Sequence, residues 1–195
     1  MKRMILAASI TFICSFLHAQ GLTGGLKAGA NITNFNGGNF DAVKKKAIVG
    51  FNAGGWLNFS LGALSLQPEL LISTQGARID SVSGHYDWKV TYASVPVMLK
   101  YRTSSGFYLE AGPQVSFKLS EDVENRTIRD FAKNLDLSAG AGLGFQTKGG
   151  FGIGARYLVG LSKVGDFDLS NSGGIDPDFK NSVIQVGISF GFTKK

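Results

Sequence analysis

The residue types that do acid–base or nucleophilic work gather in two places in this chain. The first is the run Asp80-Ser81-Val82-Ser83-Gly84-His85-Tyr86-Asp87, where a histidine stands among two serines and two aspartates. His with Ser and Asp is the material of an activated nucleophile, so the run admits a rim enzyme acting on lipid or peptide. Ser and Asp also populate turns because their side chains hydrogen-bond to the nearby backbone. Three residue types in a short polar run therefore need no catalytic explanation, and His85 is assigned no catalytic role.

The second is a dispersed set of charges: Lys27, Glu69, Lys100, Glu110, Lys118, Asp136 and Arg156. Glu69 and Glu110 alone would suggest an acid/base couple. With Lys100, Lys118 and Arg156 of opposite sign in the same set, mutual pairing in a space that excludes most water is the simpler account. These seven are read as a packed polar network, with a proton path or a narrow pore as the functional alternative. Gly140-Ala141-Gly142-Leu143-Gly144 lacks the Lys-Ser or Lys-Thr and the following helix of a phosphate loop. Asp166, Asp168, Asp176 and Asp178 offer carboxylates but no spaced glutamate of a calcium loop. Lys44-Lys45-Lys46 reads as a solvated loop run, with contact to anionic headgroups as the alternative. No catalytic, metal or cofactor-binding residue is assigned.

The elements that position these side chains show a period of two. From Gly106 to Ser120, Phe107, Leu109, Ala111, Pro113, Val115, Phe117 and Leu119 form one face, and Tyr108, Glu110, Gly112, Gln114, Ser116 and Lys118 the other. Typical strands run about five or six residues, whereas a tilted membrane-crossing strand needs about nine to eleven, apolar outward and polar inward. Seven further segments read the same way: Gly25–Asn36, Ile48–Ser60, Leu64–Gln75, Trp88–Arg102, Leu135–Gln146, Phe151–Lys163 and Ser182–Thr193. Trp56 falls on an inner face. Pro68 cannot donate a ladder bond, so it costs something unless a bulge sits there. Trp88 and Val90 break the parity of their strand and argue for a second bulge. Trp88, Tyr92, Tyr101 and Tyr157 are candidates for interfacial aromatic girdles.

The connections alternate in length. Those at 61–63, 103–105 and 148–150 are tight turns, and those near 37–47, 76–87, 121–134 and 164–181 are long and polar. Short turns at one rim and long loops at the other organise an eight-stranded antiparallel transmembrane β-barrel of the outer membrane, both termini periplasmic. Lys2 and Arg3, the apolar stretch from Met4 to Leu17, and His18-Ala19-Gln20 read as a signal peptide cleaved after Ala19, leaving residues 20–195 as one barrel domain. Cys14, the single cysteine, lies in that leader, so the mature chain has no disulfide or thiolate site. Losing Lys2 and Arg3 lowers the formal charge of +6 by two, and no Lys/Arg stripe is interleaved with aromatics, which speaks against nucleic acid.

Four stretches carry a resemblance to a known family: Tyr92-Ala93-Ser94-Val95-Pro96-Val97-Met98-Leu99-Lys100-Tyr101, Phe107-Tyr108-Leu109-Glu110-Ala111-Gly112-Pro113, Ala139-Gly140-Ala141-Gly142-Leu143-Gly144-Phe145 and Ala155-Arg156-Tyr157-Leu158-Val159-Gly160-Leu161. In this order they resemble the small PorT-like outer-membrane barrels of Bacteroidetes. Such barrels often end on an aromatic residue, whereas Thr193-Lys194-Lys195 follow Phe192 here. The resemblance implies location and fold, and permits a link to protein secretion, but fold does not fix function. The expectation is a non-enzymatic outer-membrane barrel that presents surface loops or serves an envelope or secretion assembly. Its expected partners are outer-membrane lipid, lipopolysaccharide and an envelope protein.

Overall fold

The computed structural model describes residues 21–37, 44–81, 84–123, 134–162 and 179–192. The signal-peptide segment and the four aspartates of the last loop lie outside these residues. Eight strands, β1 (Leu22–Gly37), β2 (Lys44–Leu61), β3 (Leu64–Ser81), β4 (Gly84–Arg102), β5 (Phe107–Val123), β6 (Leu135–Gln146), β7 (Phe151–Gly160) and β8 (Phe179–Phe192), follow one another in order. Each pairs antiparallel with its neighbours, and β8 returns to β1 to close the barrel. Closure leaves no unpaired edge, which is what a sheet surrounded by hydrocarbon requires.

Alternation sets the two faces. Along β6, Leu135, Leu137, Ala139, Ala141, Leu143 and Phe145 point outward and exposed. Asp136, Ser138, Gly140 and Gly144 between them are buried. The outward face carries large apolar groups that water would not tolerate, among them Val49 at 72%, Leu70 at 64% and Leu143 at 52% exposure. At the turn rim many of the outward residues are aromatic. Phe107 pairs with Phe145, Phe151 pairs with Phe190, and the rings of Phe190 and Phe192 meet edge to face at 6.0 Å. With Tyr101, these form the girdle at that rim. Tyr157 is also outward, but Tyr92 is not: it is 1% exposed and fills the interior.

Two of the three tight turns repeat one device. In Thr103-Ser104-Ser105-Gly106-Phe107, the Gly106 amide donates to Thr103 O (3.0 Å) and the Thr103 amide to Phe107 O (2.8 Å). Thr147-Lys148-Gly149-Gly150-Phe151 repeats it, with bonds of 3.1 and 2.7 Å. Gly106 and Gly150 sit at φ of 100° and 89°, the left-handed position that a three-residue hairpin loop requires.

Six strands, β1 to β5 and β8, run past the sequence reading at the loop rim, all but β1 by three residues or more. The segments near 37–47 and 76–87 are not all loop: β2 begins at Lys44, β3 continues to Ser81 and β4 begins at Gly84. Lys44-Lys45-Lys46 and His85 are therefore on strand backbone, with Lys44 and His85 both opposite Asp80. Ten residues in β7 span about 33 Å along the strand at roughly 3.3 Å each, or about 25 Å of height at a tilt near 40°. The 18 residues of β3 and 19 of β4 give nearly twice that, so β2–β5 project as a ribbon beyond the bilayer-sized part.

The bulge expected in β4 needs correction, and none sits at Pro68. Register runs unshifted past Pro68, from Trp56↔Glu69 to Phe59↔Leu66, so the proline is accommodated without a bulge. β4 keeps one parity throughout, with Val90 buried like Tyr92 and Ser94. The extra residue is instead in β5: Thr91 pairs with Ser120 and Tyr92 with Lys118, which leaves Leu119 unmatched. A further shift lies between Ala47 and Asn52 against β3. There Asn31 donates to Phe51 O and Thr74 O, each at 3.0 Å, and the Thr33 hydroxyl serves both Gly76 O (2.7 Å) and Gly76 N (3.0 Å). Two inward β1 side chains thus satisfy backbone groups around the irregularity.

Candidate functional site: the lumen network

Inward positions of β1, β3, β4, β5 and β7 bring five of the seven sequence-predicted charges into one layer. Arg156 is its centre. Its Nη1 and Nη2 donate to the two carboxylate oxygens of Glu69 at 3.0 and 2.8 Å, a bidentate fork, and Nε donates to Glu110 Oε1 at 2.8 Å. Lys27 Nζ reaches Glu69 Oε2 at 3.3 Å, and Lys100 Nζ reaches Glu110 Oε2 at 3.4 Å. Gln67 ties the halves together: its Nε2 donates to Glu69 Oε1 (2.8 Å) and its Oε1 accepts from Lys100 (3.0 Å). Lys100 also lies 4.0 Å from the centre of the Tyr108 ring, a cation–π contact. The Glu69 side chain is 0% exposed and that of Arg156 2%.

Small inward residues make room for these large ones. A Cβ on Gly144 would lie 2.5 Å from Tyr108 Cζ, and one on Gly154 would strike the Tyr108 hydroxyl. The glycine string of β6 is thus a cradle for lumen side chains, not a phosphate loop. Trp56 is inward and 6% exposed, its indole Nε1 donating to Leu26 O at 3.3 Å.

Lys118 and Asp136 belong to other groups nearer the loop rim. The β5 bulge brings Glu121 to the face of Lys118, and the two pair at 3.2 Å. Asp136 Oδ1 accepts from the Ser162 hydroxyl at 3.0 Å. Sequence reasoning missed the layer on the loop side of Arg156. One step along each strand, Met98, Leu158 and Val183 pack as a buried apolar cluster. Inward apolar residues among polar ones were the available signal, and Val90 was misread as a phase change.

Together the charged and apolar layers fill the section. Beside Arg156 lies a void of about 20 Å³, lined by Lys27, Asn52, Tyr108, Glu110 and Gln185 among others. That holds about one water. The Glu69–Arg156–Glu110 geometry spends both carboxylates on a permanent cation, so neither is disposed as a general acid or base.

A closed antiparallel barrel with an apolar outer wall and a polar interior defines a transmembrane β-barrel. Residues 18–166 match the family model for the outer membrane protein beta-barrel domain, and the chain belongs to that family. Among solved structures it is similar to Neisserial surface protein A, NspA, at 13% identity, with 89% of this chain and 100% of that one covered and a TM-score of 0.56. It is also similar to Ail of Yersinia pestis, solved with the heparin analogue sucrose octasulfate (18%, 89% and 100% covered, TM-score 0.49). OprG of Pseudomonas aeruginosa aligns at 12% identity, 89% and 95% covered, with a TM-score of 0.47. At these identities the NspA likeness speaks to fold alone. No curated protein matches the chain.

Proposed function

We propose that this protein is a sealed, non-enzymatic outer-membrane barrel that holds the β2–β5 ribbon and its loops at the cell surface for an envelope or extracellular partner. The observation that carries this is the lumen section. Its charged groups bind one another, an apolar layer lies beside them, and the void beside Arg156 is the size of one water. With transport and lumen chemistry disfavoured, the feature left to act is the projecting ribbon. In this reading residues 1–19 are a cleaved leader, residues 20–195 are the barrel, and the turn rim faces the periplasm. The apolar wall contacts outer-membrane lipid, and the loop rim stands among lipopolysaccharide. The PorT-like resemblance makes a secretion assembly the finer form of this proposal.

Cys14 is the only cysteine and leaves with the leader, so single introduced thiols report orientation cleanly. Lys45→Cys on the ribbon is expected to react with a membrane-impermeant maleimide on intact cells, and Ser104→Cys at a tight turn only after permeabilisation. The reverse pattern, or labelling of neither site in intact cells, would overturn surface presentation.

A further inference from the structure

At the turn rim the lumen widens into a cavity of about 380 Å³, a volume suited to a small ligand. Trp56 and Asn58 lie on its wall, and the two Thr-x-x-Gly turns supply its lip through Thr103, Ser104, Thr147 and Lys148. Arg102, the last residue of β4, also lines it. None of the described lining residues is acidic. Neither Arg102 nor Lys148 is ion-paired among the described residues, whereas the lumen cations deeper in the barrel all have carboxylate partners. Arg102 gives one N–H to Gln146 Oε1 at 3.1 Å and keeps the rest of its fork for another acceptor. The layer behind the cavity adds to the same sign, with Lys27, Lys100 and Arg156 facing only Glu69 and Glu110.

We propose that this vestibule binds a phosphate monoester. A planar guanidinium and an ammonium at a mouth without acidic side chains suit a tetrahedral oxyanion, while the Thr103 and Thr147 hydroxyls are given to Phe107 O and Phe151 O within their turns. Two cations with no local acid match a group that carries about −1.5 to −2 at neutral pH better than a singly charged carboxylate or phosphodiester.

Only Trp56 and Trp88 are tryptophans, so Trp88→Phe leaves one indole, on the cavity wall. The mature chain in neutral detergent would be titrated with inorganic phosphate and with glycerol phosphate, against sodium chloride at matched ionic strength. A saturable change in Trp56 emission with both phosphates and none with chloride is expected. Arg102→Gln and Lys148→Gln should each weaken it about tenfold, the loss expected of one charge-assisted contact. Lys45→Gln at the far end of β2 should leave it unchanged. Amide shifts of Gly106 and Gly150 in the ¹⁵N-labelled wild-type chain read the same binding without relying on the Trp88→Phe fold. An equal response to chloride, or one indifferent to both cation variants, overturns the site. A response to phosphatidylglycerol vesicles, absent with phosphatidylcholine and not reproduced by soluble phosphates, overturns the monoester in favour of a lipid headgroup.

Discussion

Replacing Glu69 with Gln tests whether charge balance governs the lumen. The central layer holds three cations, Lys27, Lys100 and Arg156, against two carboxylates, an excess of one positive charge. Glu69→Gln keeps the shape but leaves three cations facing Glu110 alone, an excess of two. The Arg156 fork and Lys27 lose their carboxylate, and the Glu69 side chain they met is 0% exposed. Removing one partner of a buried pair costs about 3–5 kcal/mol. Lys27, at 17% side-chain exposure, can turn partly toward water, so the lower end, about 3 kcal/mol, is expected. Adding Lys27→Met returns the excess to one charge and should recover about 1–2 kcal/mol, within the usual coupling of neighbouring sites. Urea unfolding of the refolded barrel in lipid vesicles, followed by the far-ultraviolet β signal, gives both values when the slopes agree. A Glu69→Gln variant within 0.5 kcal/mol of wild type, or a double variant less stable than the single one, would refute the charge-balance reasoning; both thresholds follow from the pair energies above.

Three further outcomes follow from the same geometry. Gly154→Ala places a methyl on the Tyr108 hydroxyl and should cost about 1–3 kcal/mol as overpacking, with Tyr108→Phe relieving part of it in the double variant by the same denaturation assay. Ala141→Arg, outward at the middle of β6, should cost about 2–4 kcal/mol in vesicles, whereas Phe107→Arg at the turn end of β5 should cost far less from charge burial, about 0–1; equal costs would contradict the membrane level assigned to the wall. Gly62→Asn should be tolerated, since φ is 72° and nothing lies within 4 Å of an added Cβ, while Gly106→Asn, at φ 100° with Gln146 O against the new Cβ, should lower thermal stability measurably.

Much of this architecture is legible in the amino acids because the bilayer enforces it. Inside hydrocarbon every second residue must be apolar, so β6 reads with its observed ends, Leu135 and Gln146, and all seven named charges fall on inward strand positions. Beyond the bilayer that constraint lapses. Lys44–Lys46 and Asp80–Asp87 look like loop because a strand in water need not present an apolar face. Inward apolar residues mislead for a related reason: Val90 and Tyr92 pack the interior, and an alternation rule assigns them to a bulge or to the wall. Which charges meet is set by barrel stagger, which no local pattern encodes. Arg156 and Glu69 meet across 87 residues of sequence, while Lys118 joins Glu121 only because Leu119 is the extra residue in its strand.

Planar-bilayer recording of the purified wild-type barrel tests the sealed lumen most directly. With Arg156 clamped between Glu69 and Glu110 beside the Met98–Leu158–Val183 layer, the recordings should show no unit conductance above protein-free membranes under applied voltage. A reproducible single-channel step from correctly folded wild-type protein would contradict a sealed barrel and return transport to the centre of its function.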